Sequence, residues 1–220
     1  MRITLTTFLT LDGVMQAPGA PGEDTRDGFR HGGWQAPYAD EALETRTAEW
    51  FAEADAFLLG RRTYEIFAAY WPLVTDEDHP IAGPLNTLPK YVVSTTLDTA
   101  GWNNSTLIRT DVIEKVAELK DRPGRELQIH GSGVLARSLL DHGLIDELRL
   151  WTYPVVLGTG RRLFEPGRTP TALRLVDSTP TGSGCVLSVY RPAGAPPTAT
   201  SPGSDTRRGA AARKERGRGG

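Results

Sequence analysis

Two short runs in this 220-residue sequence combine glycine, hydroxyl and guanidinium groups in a way that suits an anion. The first, Gly60-Arg61-Arg62-Thr63, follows an apolar stretch at 56–59 and leads into Ile66, Phe67, Tyr70 and Trp71, which recur at helical spacing. A helix start offers unpaired N–H groups and the positive end of the peptide dipole, and flanking arginines add bidentate donors for phosphate. The competing reading is a helix capped by Thr63 beside two solvated arginines. The second run, Gly131-Ser132-Gly133-Val134-Leu135-Ala136, follows an apolar stretch at 127–130 and satisfies G-x-G-x-x-A, the shape of a dinucleotide fingerprint. It follows a fifth strand rather than a first, and no acid ends the next strand, so a standard Rossmann arrangement is excluded.

The elements that must position these runs are legible as periodicities. Strand-like stretches fall at 2–9, 56–59, 91–94, 106–109, 127–130, 147–156, 172–177 and 185–191. Between the early ones lie four amphipathic helical stripes. Leu43, Thr47, Trp50, Phe51 and Ala54 form the first, and the one beginning at Ile66 is stopped by Pro72. Val112, Ile113, Val116 and Ala117 form the third, opened by Asp111 with Glu114 three residues on as a capping box. Val134, Leu135, Leu139 and Leu140 form the fourth, ending at Gly143 with Leu144 placed for the accompanying apolar contact. Alternation followed by consecutive strands predicts an α/β fold. Its eight-stranded sheet is mostly parallel, with an antiparallel C-terminal edge and helices on both faces. Ligands of such sheets bind beyond the carboxyl ends of the strands, where both glycine runs lie.

Composition narrows the function classes. A hydrophobic fraction of 39% supports a real core. The single cysteine, Cys185, excludes an internal disulfide and a cysteine zinc cluster, and points to a reducing compartment, the cytoplasm. No run approaches the ~20 apolar residues of a membrane helix. His31, His79, His130 and His142 lack metal-ligand spacing, so no metal is expected, and Asp76-Glu77-Asp78-His79 reads as a solvated loop. Gly131-Ser132-Gly133 is not a nucleophile elbow. Residues 194–220 carry +4, which leaves −6 on the rest, and they contain no Leu, Ile, Val or aromatic side chain. They read as a disordered basic tail on a single domain spanning 1–193. An acidic body without a basic helix argues against dedicated nucleic-acid binding.

Further stretches bring a resemblance into view: Leu11-Asp12-Gly13, Ala54-Asp55-Ala56 before the first glycine run, Tyr91-Val92-Val93-Ser94, Gly143 through Leu148, Pro154-Val155-Val156-Leu157-Gly158-Thr159-Gly160 and Leu163-Phe164. In this order the chain resembles the dihydrofolate reductase superfamily. It is most similar to stand-alone relatives of the reductase domain of the bacterial bifunctional riboflavin biosynthesis protein. The resemblance implies an NADPH-dependent reductase of a small pyrimidine- or pterin-like heterocycle. By analogy, Gly60, Arg61, Arg62 and Thr63 hold the 2′-phosphate and pyrophosphate. Ser94 and Thr95 meet the adenosine end, and Gly131, Ser132 and Gly133 cover the diphosphate. Asp12, a candidate catalytic residue, and the cofactor-binding Gly13 and Val14 lie beside the nicotinamide, under a loop that runs to about Asp40 and could act as a lid. Glu44 is the analogue of the superfamily's catalytic acid, and Arg161 and Arg162 are candidates for a substrate phosphate. A homodimer is implied, with apolar surface expected around 148–156. One cysteine excludes the zinc deaminase of the bifunctional relatives. Two alternatives stay open: a related reductase acting on dihydrofolate or another substrate, and a catalytically idle nucleotide-binding module.

Overall fold

The computed structural model describes residues 1–76, 78–167 and 169–197. Its elements run β1 (Arg2–Thr10), α1 (Glu41–Ala52), β2 (Ala54–Gly60), α2 (Arg61–Tyr70), α3 (Ala82–Thr87), β3 (Lys90–Val93), β4 (Ser105–Ile108), α4 (Val112–Asp121), β5 (Glu126–His130), α5 (Gly133–Asp141), β6 (Glu147–Tyr153), β7 (Leu173–Pro180) and β8 (Val186–Pro192). The strands form one sheet in the order β4-β3-β2-β5-β1-β6-β8-β7. The first six are parallel, and β8 and β7 close the sheet antiparallel. The expected α/β architecture is therefore present, dihydrofolate-reductase-like in its mostly parallel sheet and antiparallel edge. Because β5 returns between β1 and β2, both glycine runs end adjacent strands on the same rim of the sheet.

The two faces of the central strands are chemically different. Ile3, Leu5, Leu127, Ile129 and Leu148 point to one face and pack with Val116 and Leu119 of α4 and Leu135 and Leu139 of α5, a dry apolar layer. Alternation sends Thr4, Thr6, Glu126, Gln128, His130, Glu147 and Arg149 to the other face, where α1 lies. Gln128 Nε2 donates to Trp50 O of α1, and the His130 ring stacks on Phe51 at 4.6 Å. Arg149 is buried there. Its guanidinium donates to both oxygens of Glu126, at 2.6 and 2.9 Å, and to Glu147 at 3.1 Å, and it lies 4.9 Å from the Trp50 ring. Arg2 pairs with both glutamates, and Arg191 reaches Glu147 at 3.0 Å. Charges at this depth persist only when each finds a partner, and here every carboxylate has at least two.

Several local expectations are corrected. Asp111 does not build a capping box: it sits in the left-handed region at φ 53° with no side-chain cap bond, its carboxylate taken by Thr110 and Lys115. Thr63 does not open its helix; α2 begins at Arg61 with Gly60 as N-cap. The short helix α3 carried no periodic signal. It is held by the wholly buried Lys90, whose ammonium donates to Leu85 O and Leu88 O, satisfying C-terminal carbonyls, while burial lowers its pKa to about 8. The segment expected to offer apolar dimer surface, 148–156, is mostly interior: Leu148, Leu150, Trp151 and Tyr153 are buried, because β6 lies between β1 and β8. Val156, beyond the end of β6, stays exposed, and the β7–β8 hairpin adds exposed apolar side chains at Leu175, Val176 and Val186. Ala172 and Gly194 still pair through their backbones. The expected tail lies outside the described residues from 198 onward.

Candidate active site

The two glycine runs meet. The Gly60 N–H donates to Ser132 Oγ at 3.0 Å, and the Ser132 N–H donates to Thr63 Oγ1 at 3.1 Å. Ser132 Oγ in turn donates to His130 O at 2.9 Å, and the Gly131 N–H donates to Thr6 O at 3.0 Å. Ser132 adopts φ 49°, a left-handed conformation uncommon outside glycine, and these bonds hold it there. Since Gly60 and Ser132 are the residues that precede α2 and α5, the two helix N-termini converge on one point. The opening N–H groups of each helix have no intrahelical acceptor, so their donors and dipoles face the same small region.

Arg61 and Arg62 stand at this point, half exposed. Arg61 donates to Glu65 at 2.7 Å and to Thr96 Oγ1 at 2.6 Å, while Arg62 lies 3.5 Å from the same Glu65. Glu65, one turn into α2, is thus shared by both guanidiniums and leaves a net positive charge there, a partner the sequence reading did not assign. Ser94 caps the turn after β3, its hydroxyl accepting from the Thr96 and Leu97 N–H groups, and Thr95 is exposed beside it. This places the residues named for the adenosine end on the rim of β3, next to β2.

Asp12, Gly13 and Val14 lie at the end of β1 and join two loops. The Asp12 carboxylate accepts from Thr10 Oγ1 at 2.6 Å, from the Leu157 and Gly158 N–H groups at 3.2 and 2.9 Å, and from Arg162 at 3.2 Å. Partial burial alone raises its pKa, but the bonds from Thr10, Leu157 and Gly158 outweigh that and lower it to about 2. A carboxylate held this way is ionised at neutral pH, so Asp12 clasps loops and has no proton to give. Val14 is buried and bridged to Arg162, and the Met15 N–H donates to Arg161 O. Met15 also reaches the second glycine run: a Cβ built on Gly133 would fall 2.6 Å from its sulfur, so a side chain there would push the Met15 side chain aside. Arg161 and Arg162 line a cleft between these two loops. Glu44 is exposed on the first turn of α1, where an acid also serves the helix dipole.

A part of the site that sequence reasoning missed lies between α1 and the ends of β1 and β6. Phe8, Trp34 and Tyr38 surround Tyr153 edge-on, with ring centroids at 5.8, 5.3 and 5.9 Å. Trp34 comes from the long loop before α1, so that loop is packed onto the aromatic group rather than standing free. In the same layer Thr6 Oγ1, Thr47 Oγ1 and Trp151 Nε1 are buried without a hydrogen-bond partner among the described residues. Buried orphans are few in folded proteins and mark places where a ligand or water completes the bonding. Alternation along β1 and β6 was the signal that could have found Thr6 and Trp151. His130, deep among Phe51, Phe57 and Phe67, has its pKa lowered to about 3, first by burial and then by Arg149, so it is neutral.

Comparison with known proteins places the molecule. Its sequence is 31% identical over 144 residues to the uncharacterized protein YyaP of Bacillus subtilis (strain 168), covering 64% of this chain and 76% of that one. A putative riboflavin biosynthesis protein from Shewanella sp. PV-4 superposes with a TM-score of 0.67 at 21% identity, covering 88% and 99% of the two chains. Dihydrofolate reductase from Enterococcus faecalis, solved with NADP(H), superposes at 0.57 and 13% identity over 87% and 96%. The diaminohydroxyphosphoribosylaminopyrimidine deaminase/5-amino-6-(5-phosphoribosylamino)uracil reductase of Thermotoga maritima superposes at 0.56 and 14% identity, over 87% of this chain and 56% of that one. The model of the RibD C-terminal domain matches residues 1–187, and the chain belongs to that family.

Proposed function

We propose that this chain is an NADPH-dependent reductase of a pyrimidine- or pterin-like ring, with 5-amino-6-(5-phosphoribosylamino)uracil as its preferred substrate. The observation that carries the reading is the tie between Gly60, Thr63 and Ser132, which aims two helix N-termini at one anion site. That cradle fits a dinucleotide diphosphate: N–H donors converge, glycines admit close backbone approach, and Arg61 and Arg62 stand ready for a 2′-phosphate. Family membership and the NADP(H)-bound reductase of similar fold support the same cofactor.

When bound, NADPH supplies the hydride. The residues of this chain bind and orient. Gly60 to Thr63 and Gly131 to Gly133 fix the diphosphate, while Asp12 holds the loop bearing Gly13 and Val14 against the rim. The aromatic group of Phe8, Trp34, Tyr38 and Tyr153 offers ring faces to a planar heterocycle, and Thr6 and Trp151 offer polar atoms to its edge. The packed loop carrying Trp34 must open for a substrate to reach them, and closure afterwards excludes water. The reading includes a cytoplasmic homodimer, for which Leu175, Val176 and Val186 are available apolar side chains. Among the described residues no helix is long and apolar enough to cross a membrane.

NADPH oxidation across a panel of aminopyrimidines and dihydropterins tests the proposal, with turnover of the phosphoribosylamino-uracil expected to exceed that of dihydrofolate. One observation favours a rival: Asp12 is ionised and saturated with donors, so an idle nucleotide-binding module would look the same at that position. Tight NADPH binding without turnover of any panel member would establish the rival.

A further inference from the structure

The chain contains two methionines, one at each end of β1. Met1 packs by Gly124, its sulfur 3.4 Å from a Cβ built on that glycine. Met15 lies in the loop after β1, partly exposed, with its side chain laid on Gly133, the first residue of α5. Its sulfur falls 2.6 Å from a Cβ built there, and Arg137 Nη1 falls 3.3 Å from the same point. An oxidisable thioether therefore touches the second glycine run.

The Met15 backbone is pinned, so the side chain cannot leave with its loop. Val14 and Gln16 on either side are buried, and the Met15 N–H donates to Arg161 O at 2.8 Å. Gln16 Oε1 accepts from the Arg161 N–H at 3.0 Å, and Gln16 O accepts from Trp34 Nε1 at 2.8 Å. The Arg161 guanidinium adds little, since it meets Asp27, 71% exposed, at 2.8 Å. Across the contact, α5 begins without a side-chain cap, because the Ser132 hydroxyl is turned to Gly60 and His130. Its first intrahelical bond runs from the Ala136 N–H to Ser132 O at 2.9 Å. The N–H groups of Gly133, Val134 and Leu135 thus precede any intrahelical acceptor. The atom lying against Gly133 is a thioether sulfur, which accepts only weakly.

We propose that Met15 is a reversible oxidation site, with hydrogen peroxide as oxidant, and that its sulfoxide closes the α5 side of the cradle to a diphosphate. The thioether sulfur attacks one peroxide oxygen and the O–O bond breaks. Sulfur is oxidised by two electrons to the sulfoxide, and the other oxygen leaves as water. The new oxygen is a strong acceptor on a now polar, chiral sulfur, and it forms beside unpaired N–H groups at the positive end of the α5 dipole. It takes donors that a diphosphate needs and crowds Gly133. A thiol-dependent sulfoxide reductase restores the thioether: two thiols become a disulfide, and the oxygen leaves as water. Cys185 does not compete for the oxidant, being wholly buried. The inference rests on reading the cradle as a dinucleotide site and adds a modification that governs it.

The test treats the full chain with dilute hydrogen peroxide, then repairs half of the sample with methionine sulfoxide reductases for both epimers and a dithiol. Peptide mass spectrometry maps the oxygen in each state. Sulfoxide at Met15 is expected in the folded protein, with slower amide exchange at Gly133, Val134 and Leu135 in the absence of cofactor. NADPH affinity is expected to fall about 5- to 10-fold and to return on repair. Met15→Leu, similar in volume, should keep whatever affinity it has through the same treatment. Met15→Gln, which carries an amide oxygen on a side chain of similar length, should bind NADPH more weakly than Met15→Leu with no oxidant present. The proposal is overturned if Met15 stays unoxidised while Met1 reacts, or if Met15→Leu loses affinity equally. Unchanged exchange or unchanged NADPH affinity with Met15 oxidised overturns it as well. The exchange readout needs no cofactor, so a reduced chain that binds no NADPH would end the dinucleotide reading and leave exchange to decide the oxidation site.

Discussion

Ser132 and Thr63, sixty-nine positions apart, are joined by a 3.1 Å hydrogen bond from the Ser132 N–H to the Thr63 hydroxyl. With the Gly60 N–H on Ser132 Oγ, this bond makes one cradle from two helix starts. Ser132→Ala keeps the unfavourable left-handed backbone and its N–H bond to Thr63 but removes the hydroxyl's bonds to the Gly60 N–H and His130 O, and should cost about 1 kcal/mol of stability. NADPH affinity should fall more than a surface change would produce. Ser132→Gly relieves the backbone yet still lacks the hydroxyl, so it should recover melting temperature without recovering affinity. Thermal melts beside fluorescence titrations check this, and equal recovery of both would show that the hydroxyl does not shape the site.

The Glu65 carboxylate pairs with both Arg61 and Arg62 and so competes with a 2′-phosphate. Arg61→Ala with Arg62→Ala should weaken NADPH about tenfold or more while changing NADH little, since only NADPH carries the third phosphate group. Glu65→Gln should move NADPH affinity the other way, about 2- to 4-fold tighter. Parallel titrations of the two cofactors decide it: equal losses for both would remove the arginines from 2′-phosphate recognition.

Arg149 is the shared partner of Glu126 and Glu147 inside the layer under α1. Arg149→Met should destabilise the fold by about 3–5 kcal/mol, because removing one member leaves buried carboxylates without their main counter-ion. Urea melts measure the loss. A loss under about 1 kcal/mol would mean that Arg2 and Arg191 suffice.

His130 makes stability pH-dependent in a defined window. Its pKa is about 3 in the fold and about 6.5 when exposed, so between those values the unfolded chain binds one more proton than the folded one. Stability therefore falls as pH drops below about 6.5, by up to about 1.4 kcal/mol per pH unit from this residue. His130→Phe should flatten the pH 5 to 6.5 part of the profile. An unchanged slope would show that the ring protonates in place.

Asp12 acts at the acid end. Its folded pKa of about 2 lies below the ordinary carboxylate value, so its contribution is present above about pH 4 and is lost as pH falls toward 2. Asp12→Asn removes that acid limb, and it should loosen the contact to Gly158 and Leu157 at neutral pH. The readout is faster amide exchange at Gly158 and Leu157, with NADPH turnover reduced but still present if Asp12 is a clasp rather than a proton donor.

What the sequence determined by itself is local and periodic. The spacing of Leu43, Trp50 and Phe51, of Val134, Leu135 and Leu139, and of the apolar strand runs predicted the eight strands and four longer helices, because i, i+3, i+4 and alternating patterns report burial directly. The glycine runs announced phosphate-friendly helix starts, since the demand for φ > 0 or close backbone approach is written in residue type. The tertiary structure alone decided how those pieces act on one another. It turned Thr63 from a cap into an acceptor for Ser132, gave Arg61 and Arg62 a common competitor in Glu65, and buried 148–153 between two strands while leaving Val156 exposed. It also made Asp12 a saturated clasp and Asp27 a loose one, a difference of exposure between two aspartates that look alike in the chain. The physical reason is common to all of these: hydrogen-bond partners, desolvation and pKa depend on which distant strands and loops are brought together, and strand order is set by packing across the whole sheet rather than by any window of residues.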